Sequence, residues 1–440
     1  VGSGTRLSDL EASFLAMEGP GLPLHVGAVL TLDEKDRVTM AELRRLVASR
    51  LPQLPKFQQK VAFTSLALRR PEWVPAAANL DSHLFHHRLR TPGRRSQLFA
   101  LCARIHETPL ARDRPLWEMH LIDGVEGRSQ ALMIKAHHAI TDGVAGVGLA
   151  QVLFDRASAS RRKVELPPTH FVHDDSASAL NAIEALVGLA FTAARGPVVG
   201  VGPFNGSVGR HRAFAGASLR MDAIIKVKQQ LGATIDDVLV GLVAAGLHRY
   251  LSELQYPDIP TRLRAMMPVS TRAVSPQTTF GNHVSAVFVD LPLDTADVPK
   301  VVARIVALKS AQRTAHAAEG ASIAIHSVAL LPNPLHELVL RLTSKVRFAH
   351  LILSDVRGLR EPLFLLGRRI EACYPMMPLS SEVGLAIAAV SMDRLMGVGI
   401  TVDPSLVPQP WRLARAIERS LADSAQSHGR GGSRVVRRAA

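Results

Sequence analysis

The chain reads as an α/β protein with mixed sheets, on three observations. Apolar runs of two-residue period alternate with runs of helical period in both halves. Of the 440 residues, 47% are apolar and 20% charged, the balance of a chain that builds a core. Pro- and Gly-bearing polar stretches break the pattern near mid-chain, leaving length for two units of ordinary domain size.

Apolar segments suited to strands and helices run up to about Phe154. Along one of them, Leu132, Ile134, Ala136 and His138 fall on one face of an extended strand, and Met133, Lys135 and His137 on the other. The two adjacent histidines therefore point opposite ways. His138 ends an apolar row, where desolvation favours a neutral imidazole able to accept a proton. Asp142 and Gly143 mark the turn into a helix over Val144 to Phe154. Asp155 to Ser178, with Pro167-Pro168 and Asp174-Asp175, reads as a linker or lid. Ala179 to Ala194 reads as a helix, and Gly196 to Gly209, with five Gly and two Pro, as a second loop.

The second half opens with a strand from Ala213 to Asp222. A helix begins near Asp236, where Thr234 and Asp237 are spaced as a capping box, and continues through Leu239, Leu242, Val243, Gly246 and Leu247. Val284 to Leu293 is apolar on both faces, as an interior strand would be. Pro299 sits near the start of a helix carrying Val301, Val302, Ile305 and Leu308, and Gly384 to Met392 with Leu395 to Val402 predict a hairpin through Asp393-Arg394. The expected units are 1–160, a linker or lid over 161–210, 211–425, and a basic tail over 426–440.

Cys102 and Cys373 stand far apart outside any CxxC context, which argues against a disulfide framework or a zinc site and fits a reducing compartment; no metal is expected. Asp9 and Glu11 interrupt the opening apolar run, so no signal peptide is expected, and Ala185 to Ala194 is too short to span a bilayer. The formal charge of +14 sits partly in the tail, in Arg430, Arg434, Arg437 and Arg438. Without aromatic interleaving, these arginines do not make a nucleic-acid site. Substrate phosphates, anionic lipid headgroups or a generally arginine-rich composition account for the charge instead.

The heptapeptide His137-His138-Ala139-Ile140-Thr141-Asp142-Gly143 is open to a purely structural reading, but it resembles the HHxxxDG signature of the chloramphenicol acetyltransferase-like acyltransferases. Further stretches are similar to the wax ester synthase/diacylglycerol acyltransferase family in particular. These are Leu24-His25-Val26-Gly27-Ala28, Pro115-Leu116-Trp117-Glu118, Phe204-Asn205-Gly206, Met267 to Arg272, Gly281-Asn282, Tyr374-Pro375, and Asp403 ahead of Trp411. Two departures stand out: the family's Asn-Asp pair is Asp236-Asp237 here, and its Ser-Asn-Val-Pro-Gly-Pro loop is Ser354-Asp355-Val356-Arg357-Gly358-Leu359. In both, a group able to donate has become one that only accepts.

The resemblance implies two chloramphenicol acetyltransferase-like domains with mixed sheets and an active-site tunnel between them. It also implies acyl-CoA-dependent O-acyl transfer to diacylglycerol, giving triacylglycerol, or to long-chain alcohols, giving wax esters. His138 is then the general base, Asp142 holds the loop, and His137 and Gly143 are structural. Asn282, Asp236 and Asp237 are candidate substrate or oxyanion contacts, Asn282 being equally readable as a turn residue. Trp117 reads as a core or wall residue. No acyl-enzyme is needed, and no G-x-S-x-G elbow is present. The implied partners are acyl-CoA and the lipid acceptor, with no cofactor, no nucleic acid, and a cytoplasmic location with peripheral contact to membrane or lipid droplets. A carrier-protein-dependent condensation enzyme and a catalytically weak lipid-binding homologue are the alternatives.

Overall fold

A computed structural model describes residues 4–19, 21–33, 37–63, 71–128, 130–141, 143–156, 199–270, 284–314, 347–356, 358 and 361–427. The first half folds into β1 (Thr5–Arg6), α1 (Asp9–Met17), β2 (His25–Leu32), α2 (Met40–Arg50), β3 (Gln59–Ala62), β4 (Glu72–Pro75), β5 (Leu84–Arg88), α3 (Arg95–Glu107), β6 (Trp117–Asp123), β7 (Ala131–His137), α4 (Gly143–Leu153) and β8 (Asp155–Arg156). The second half adds β9 (Ala213–Arg220), α5 (Met221–Leu231), α6 (Ile235–Glu253), β10 (Arg262–Ser270), β11 (Val284–Pro292) and α7 (Val298–Thr314). It closes with β12 (Leu351–Val356), β13 (Leu363–Leu365), β14 (Arg368–Met376), β15 (Leu385–Met392), β16 (Leu395–Val402) and α8 (Pro410–Ser427).

Among the described residues these strands form a seven-stranded sheet in the order β5-β6-β7-β2-β14-β13-β8, a six-stranded sheet in the order β11-β10-β12-β15-β16-β9, and a small sheet β1-β4-β3. Both large sheets are mixed, with parallel pairs at β5–β6, β10–β12 and β12–β15 and antiparallel pairs elsewhere. The α/β class with mixed sheets is as the sequence predicts. Patterning alone did not reveal that β13 and β14, from the second half, complete the first sheet, β14 pairing along β2.

The two sheets meet closely where β14 faces β16. A Cβ on Gly397 would lie 1.8 Å from the Cys373 carbonyl oxygen, and one on Gly399 1.8 Å from that of Pro375, so only glycine permits this approach. Around that seam Phe99 of α3 makes edge contacts with Phe214 and Tyr374. Arg95 donates to Ser218 Oγ at 2.9 Å and to the Tyr374 hydroxyl.

The core around the six-stranded sheet is dense and apolar. Leu239, Leu242, Val243 and Leu247 of α6 are fully buried, and so are Leu385 and Ile387 of β15 and Val398 and Ile400 of β16. The predicted hairpin is present, with Met392 opposite Leu395 across Asp393-Arg394. The predicted helix at Pro299 is α7, which buries Val301, Val302 and Ile305 but leaves Leu308 exposed.

Two expectations change. Val284–Pro292 is an edge strand among the described residues, not an interior one: Val289 and Leu291 are buried while Val287 and Asp290 are half-buried. Apolar content on both faces reflects what covers the strand, not how many neighbours it pairs with. The strand at 213–222 ends at Arg220, because Met221 and Asp222 already open α5. No single helix among the described residues is long and apolar enough to cross a membrane.

Candidate active site

The histidine pair lies where β7 stops. Antiparallel pairing sets His137 opposite His25 at the head of β2, and β7 alternates as expected. Leu132, Ile134 and Ala136 join the core on one side, Ala131 and Met133 the one on the other. His138 lies just beyond the strand, in a turn. Its N–H donates to the Leu24 carbonyl at 2.8 Å, and the Ile140 N–H closes the turn on the His137 carbonyl at 3.0 Å. Between them the Ala139 N–H donates to His137 Nδ1 at 3.0 Å. The peptide groups on both sides of His138 are therefore fixed, while its half-buried ring stacks on Phe14 of α1, centroids 4.0 Å apart at 25°.

Behind the turn is a buried polar cluster. His137 is 1% exposed and His25 and His106 are 0% exposed, a setting in which an unpaired ring nitrogen is costly, and each ring has one nitrogen hydrogen-bonded. His25 Nδ1 lies 2.8 Å from the His106 carbonyl, so it carries the proton and donates; His106 Nε2 returns a bond to the His25 carbonyl at 3.1 Å. Burial, with Lys135 and other cations nearby, pushes the His25 imidazole well below its ordinary value and that of His106 down to about 3, so both are neutral. Glu18, just past the end of α1, places Oε1 3.6 Å from His137 Nε2 and 3.8 Å from His25 Nε2, and pairs with Arg112 through its other oxygen. Burial acts to raise the Glu18 carboxyl, but His137 and Arg112 outweigh it and hold it at about 2. Lys135 is fully buried; its Nζ donates to the Ile105 and Thr108 carbonyls at 2.9 and 2.5 Å at the end of α3 and lies 3.5 Å from Glu118. A cation at a helix C-terminus is the favourable sign.

The other candidates fall as follows. Gly143 opens α4, as expected. Asp142 and Asn282 lie outside the described residues, as do the helix expected at 179–194 and the tail from 428. Asp237 is the reciprocal partner of Thr234 in the predicted capping box and pairs with Lys309 at 2.7 Å. Burial works against its ionised form, yet Lys309 and Thr234 keep its carboxyl low. Both of its carboxylate oxygens are thus engaged, Oδ2 by Thr234 and Oδ1 by Lys309. Asp236 stands half-buried in the same first turn. Asp355 is half-buried on β12, in register with Ala389. Trp117 is wholly buried, with its indole N–H on the Phe57 carbonyl at 2.9 Å, a core residue as predicted. Burial pushes the thiols of Cys102 and Cys373 up, that of Cys373 to about 12, so both stay protonated. Sequence reading missed Phe14, Glu18 and Arg112. Their one local signal is the four-residue spacing that sets Phe14 and Glu18 on one face at the end of α1.

A turn clamped through its peptide groups and carrying a half-buried imidazole suits proton transfer to a substrate. Residues 7–196 and 172–239 match the wax ester synthase/diacylglycerol acyltransferase catalytic domain, and residues 280–423 match the family's C-terminal domain. The chain is 32% identical to the "Putative diacyglycerol O-acyltransferase MT1809" of Mycobacterium tuberculosis (strain CDC 1551 / Oshkosh), over 95% of this chain and 89% of that one. Its fold is similar to that of the wax ester synthase/diacylglycerol acyltransferase from Marinobacter aquaeolei VT8, with TM-score 0.71, 22% identity, and 97% and 100% of the two chains covered. It is also similar, at TM-score 0.57 and 12% identity over 96% and 94% of the chains, to a starter condensation domain of rhizomide synthetase solved with C8-CoA. The chain belongs to the wax ester synthase/diacylglycerol acyltransferase family.

Proposed function

We propose that this family member is an acyl-CoA-dependent O-acyltransferase that makes triacylglycerol from diacylglycerol, also accepts long-chain alcohols, and uses His138 as its general base. The observation that carries the reading is His138 itself, half-buried on a turn fixed through both neighbouring peptides. The imidazole takes the proton from the acceptor hydroxyl as its oxygen attacks the thioester carbonyl. Collapse of the tetrahedral intermediate expels the CoA thiolate, which takes that proton back, leaving ester and CoA thiol. General-base help of this kind contributes on the order of 10²–10⁴-fold.

Asp142 holds the turn in this scheme, and Asn282 donates to the oxyanion. The acceptor class follows the name of the mycobacterial relative, and the thioester follows the C8-CoA bound by the condensation-domain neighbour. The positive charge of +14 favours both a phosphate-bearing donor and peripheral contact with anionic lipid at a cytoplasmic membrane face or droplet. The units at 1–160 and 211–425, a tunnel between them, and 161–210 as linker or lid belong to the same proposal.

The test is thiol release by purified protein from palmitoyl-CoA, with dioleoylglycerol and hexadecanol as separate acceptors and a palmitoylated carrier protein as alternative donor. Acceptor-dependent release from CoA supports the reading and ranks the acceptors. Release only from the carrier makes the protein a condensation-type enzyme, and none from folded protein leaves lipid binding without turnover.

A further inference from the structure

Helix α1 touches both histidines. Phe14 and Glu18 are one helical turn apart, the Glu18 N–H closing on the Phe14 carbonyl at 3.3 Å, so they share a face. Phe14 meets the His138 ring, and Glu18 faces His137 and His25.

The hydrogen bonds at each Nδ1 then decide what Glu18 meets. His25 faces a carbonyl at Nδ1, so its neutral ring carries the proton there and turns a bare Nε2 toward Glu18. His137 accepts the Ala139 N–H at Nδ1, so its proton must be on Nε2. That N–H is buried, has no hydrogen-bond partner within range among the described residues, and has Glu18 Oε1 before it at 3.6 Å. Of the two rings, only His137 presents an N–H to the carboxylate. That attraction, across 3.6 Å, favours the proton on Nε2 and leaves the Nδ1 lone pair free for Ala139.

We propose that Glu18 is a positioning residue for the acyl transfer: its carboxylate holds His137 in the Nε2–H tautomer, and Nδ1 then anchors the Ala139 N–H that fixes the His138 turn. Arg112, on the far oxygen, aims the carboxylate, and Phe14 sets the ring plane of His138. With the carboxylate before Nε2 gone, the Nδ1–H tautomer becomes competitive and the Ala139 N–H loses its partner, leaving the base on a loosened turn. Misplacing a reacting group by about 1 Å costs on the order of 10²-fold. The charged and titratable groups around the carboxylate are His25, His137 and Arg112, with Lys135 and His106 behind them.

The inference rests on the reading of His138 as the base, and the test separates the two. Long-range ¹H–¹⁵N spectra of histidine-labelled protein, with His137 assigned from a His137→Asn sample, report its tautomer without reference to activity. The expected result is Nε2–H with a bare Nδ1 in the native protein, and loss of that single form in Glu18→Ala, which leaves no oxygen before Nε2. Along with it, kcat should fall about 10- to 100-fold with little change in KM for palmitoyl-CoA, and Glu18→Asp should recover part of the loss. A native spectrum with the proton on Nδ1 overturns the inference even if Glu18→Ala does not fold. An unchanged tautomer in a slowed Glu18→Ala, or a changed one at full kcat, overturns it too. Full activity in His138→Ala would sink the general-base reading instead, whatever the spectra show.

Discussion

β7 and β15 hold matching places, each an inner strand of its large sheet, and each is buried along almost its whole length. β15 carries no ionisable side chain. β7 buries Lys135 at 0% and His137 at 1% exposure, in a sequence that otherwise alternates as an apolar strand should. Charged and polar groups are expensive in a core unless they find partners. Lys135 has helix-end carbonyls and Glu118, and His137 has the Ala139 amide at Nδ1 with the Glu18 carboxylate 3.6 Å from Nε2. β15 is an apolar strand throughout, while β7 keeps a polar cluster beneath a single turn. That cluster lies beneath the His138 turn, where the proposed chemistry would take place.

The comparison is most easily broken at its most buried cation. Lys135→Met keeps volume and should still cost about 3 kcal/mol, because it strands two helix-end carbonyls and leaves Glu118 with His120 as its remaining partner. Ile387→Leu, on the apolar strand, should cost less than about 1.5 kcal/mol. Equal shifts in urea unfolding would mean that the polar face contributes nothing particular. Gly399→Ala probes the seam between the sheets, where the new Cβ meets the Pro375 backbone, and should lower stability by about 1–3 kcal/mol while leaving either sheet's own pairing intact.

A smaller contrast lies within one helix turn. Asp237→Ala removes the capping partner of Thr234 and the pair with Lys309 and should cost about 1 kcal/mol. Asp236→Asn should stay within about 0.5 kcal/mol. An overlaid pH–rate profile for Asp236→Asn would show that this aspartate does not act on His138, whereas a lower acidic limb would place its charge near the base.

The Glu18 carboxyl, held at about 2 against an ordinary 4.5, gives a pH signature with a definite sign. A lowered folded-state value contributes stability that is fully present above about 4.5 and is lost as pH falls toward 2. Glu18→Gln should therefore flatten the stability-versus-pH curve in that window. A curve parallel to the native one would remove the charge contacts from the account.

What the sequence disclosed was local. The strand-to-turn run into His138, the capping box at Thr234 and the Asp393-Arg394 hairpin each depend on residues within a few positions, where periodicity and side-chain chemistry act directly. The contacts of Glu18 with His137 and of Phe14 with His138 span more than a hundred positions and arise only when α1 docks at the end of β7. In sequence they are ordinary helix-end residues. The same holds for β14, whose alternation is that of any strand and whose place beside β2 is set by the meeting of two sheets. Asp142 and Asn282 remain assignments from the motif resemblance.

The most direct test of the central claim is the rate of acceptor-dependent thiol release in His138→Ala beside the native protein, with thermal unfolding of both. The account predicts a loss on the order of 10²–10⁴-fold at an unfolding midpoint within a few degrees of native, since the half-buried ring carries no strand pairing. A folded His138→Ala protein that transfers acyl groups at the native rate would contradict it.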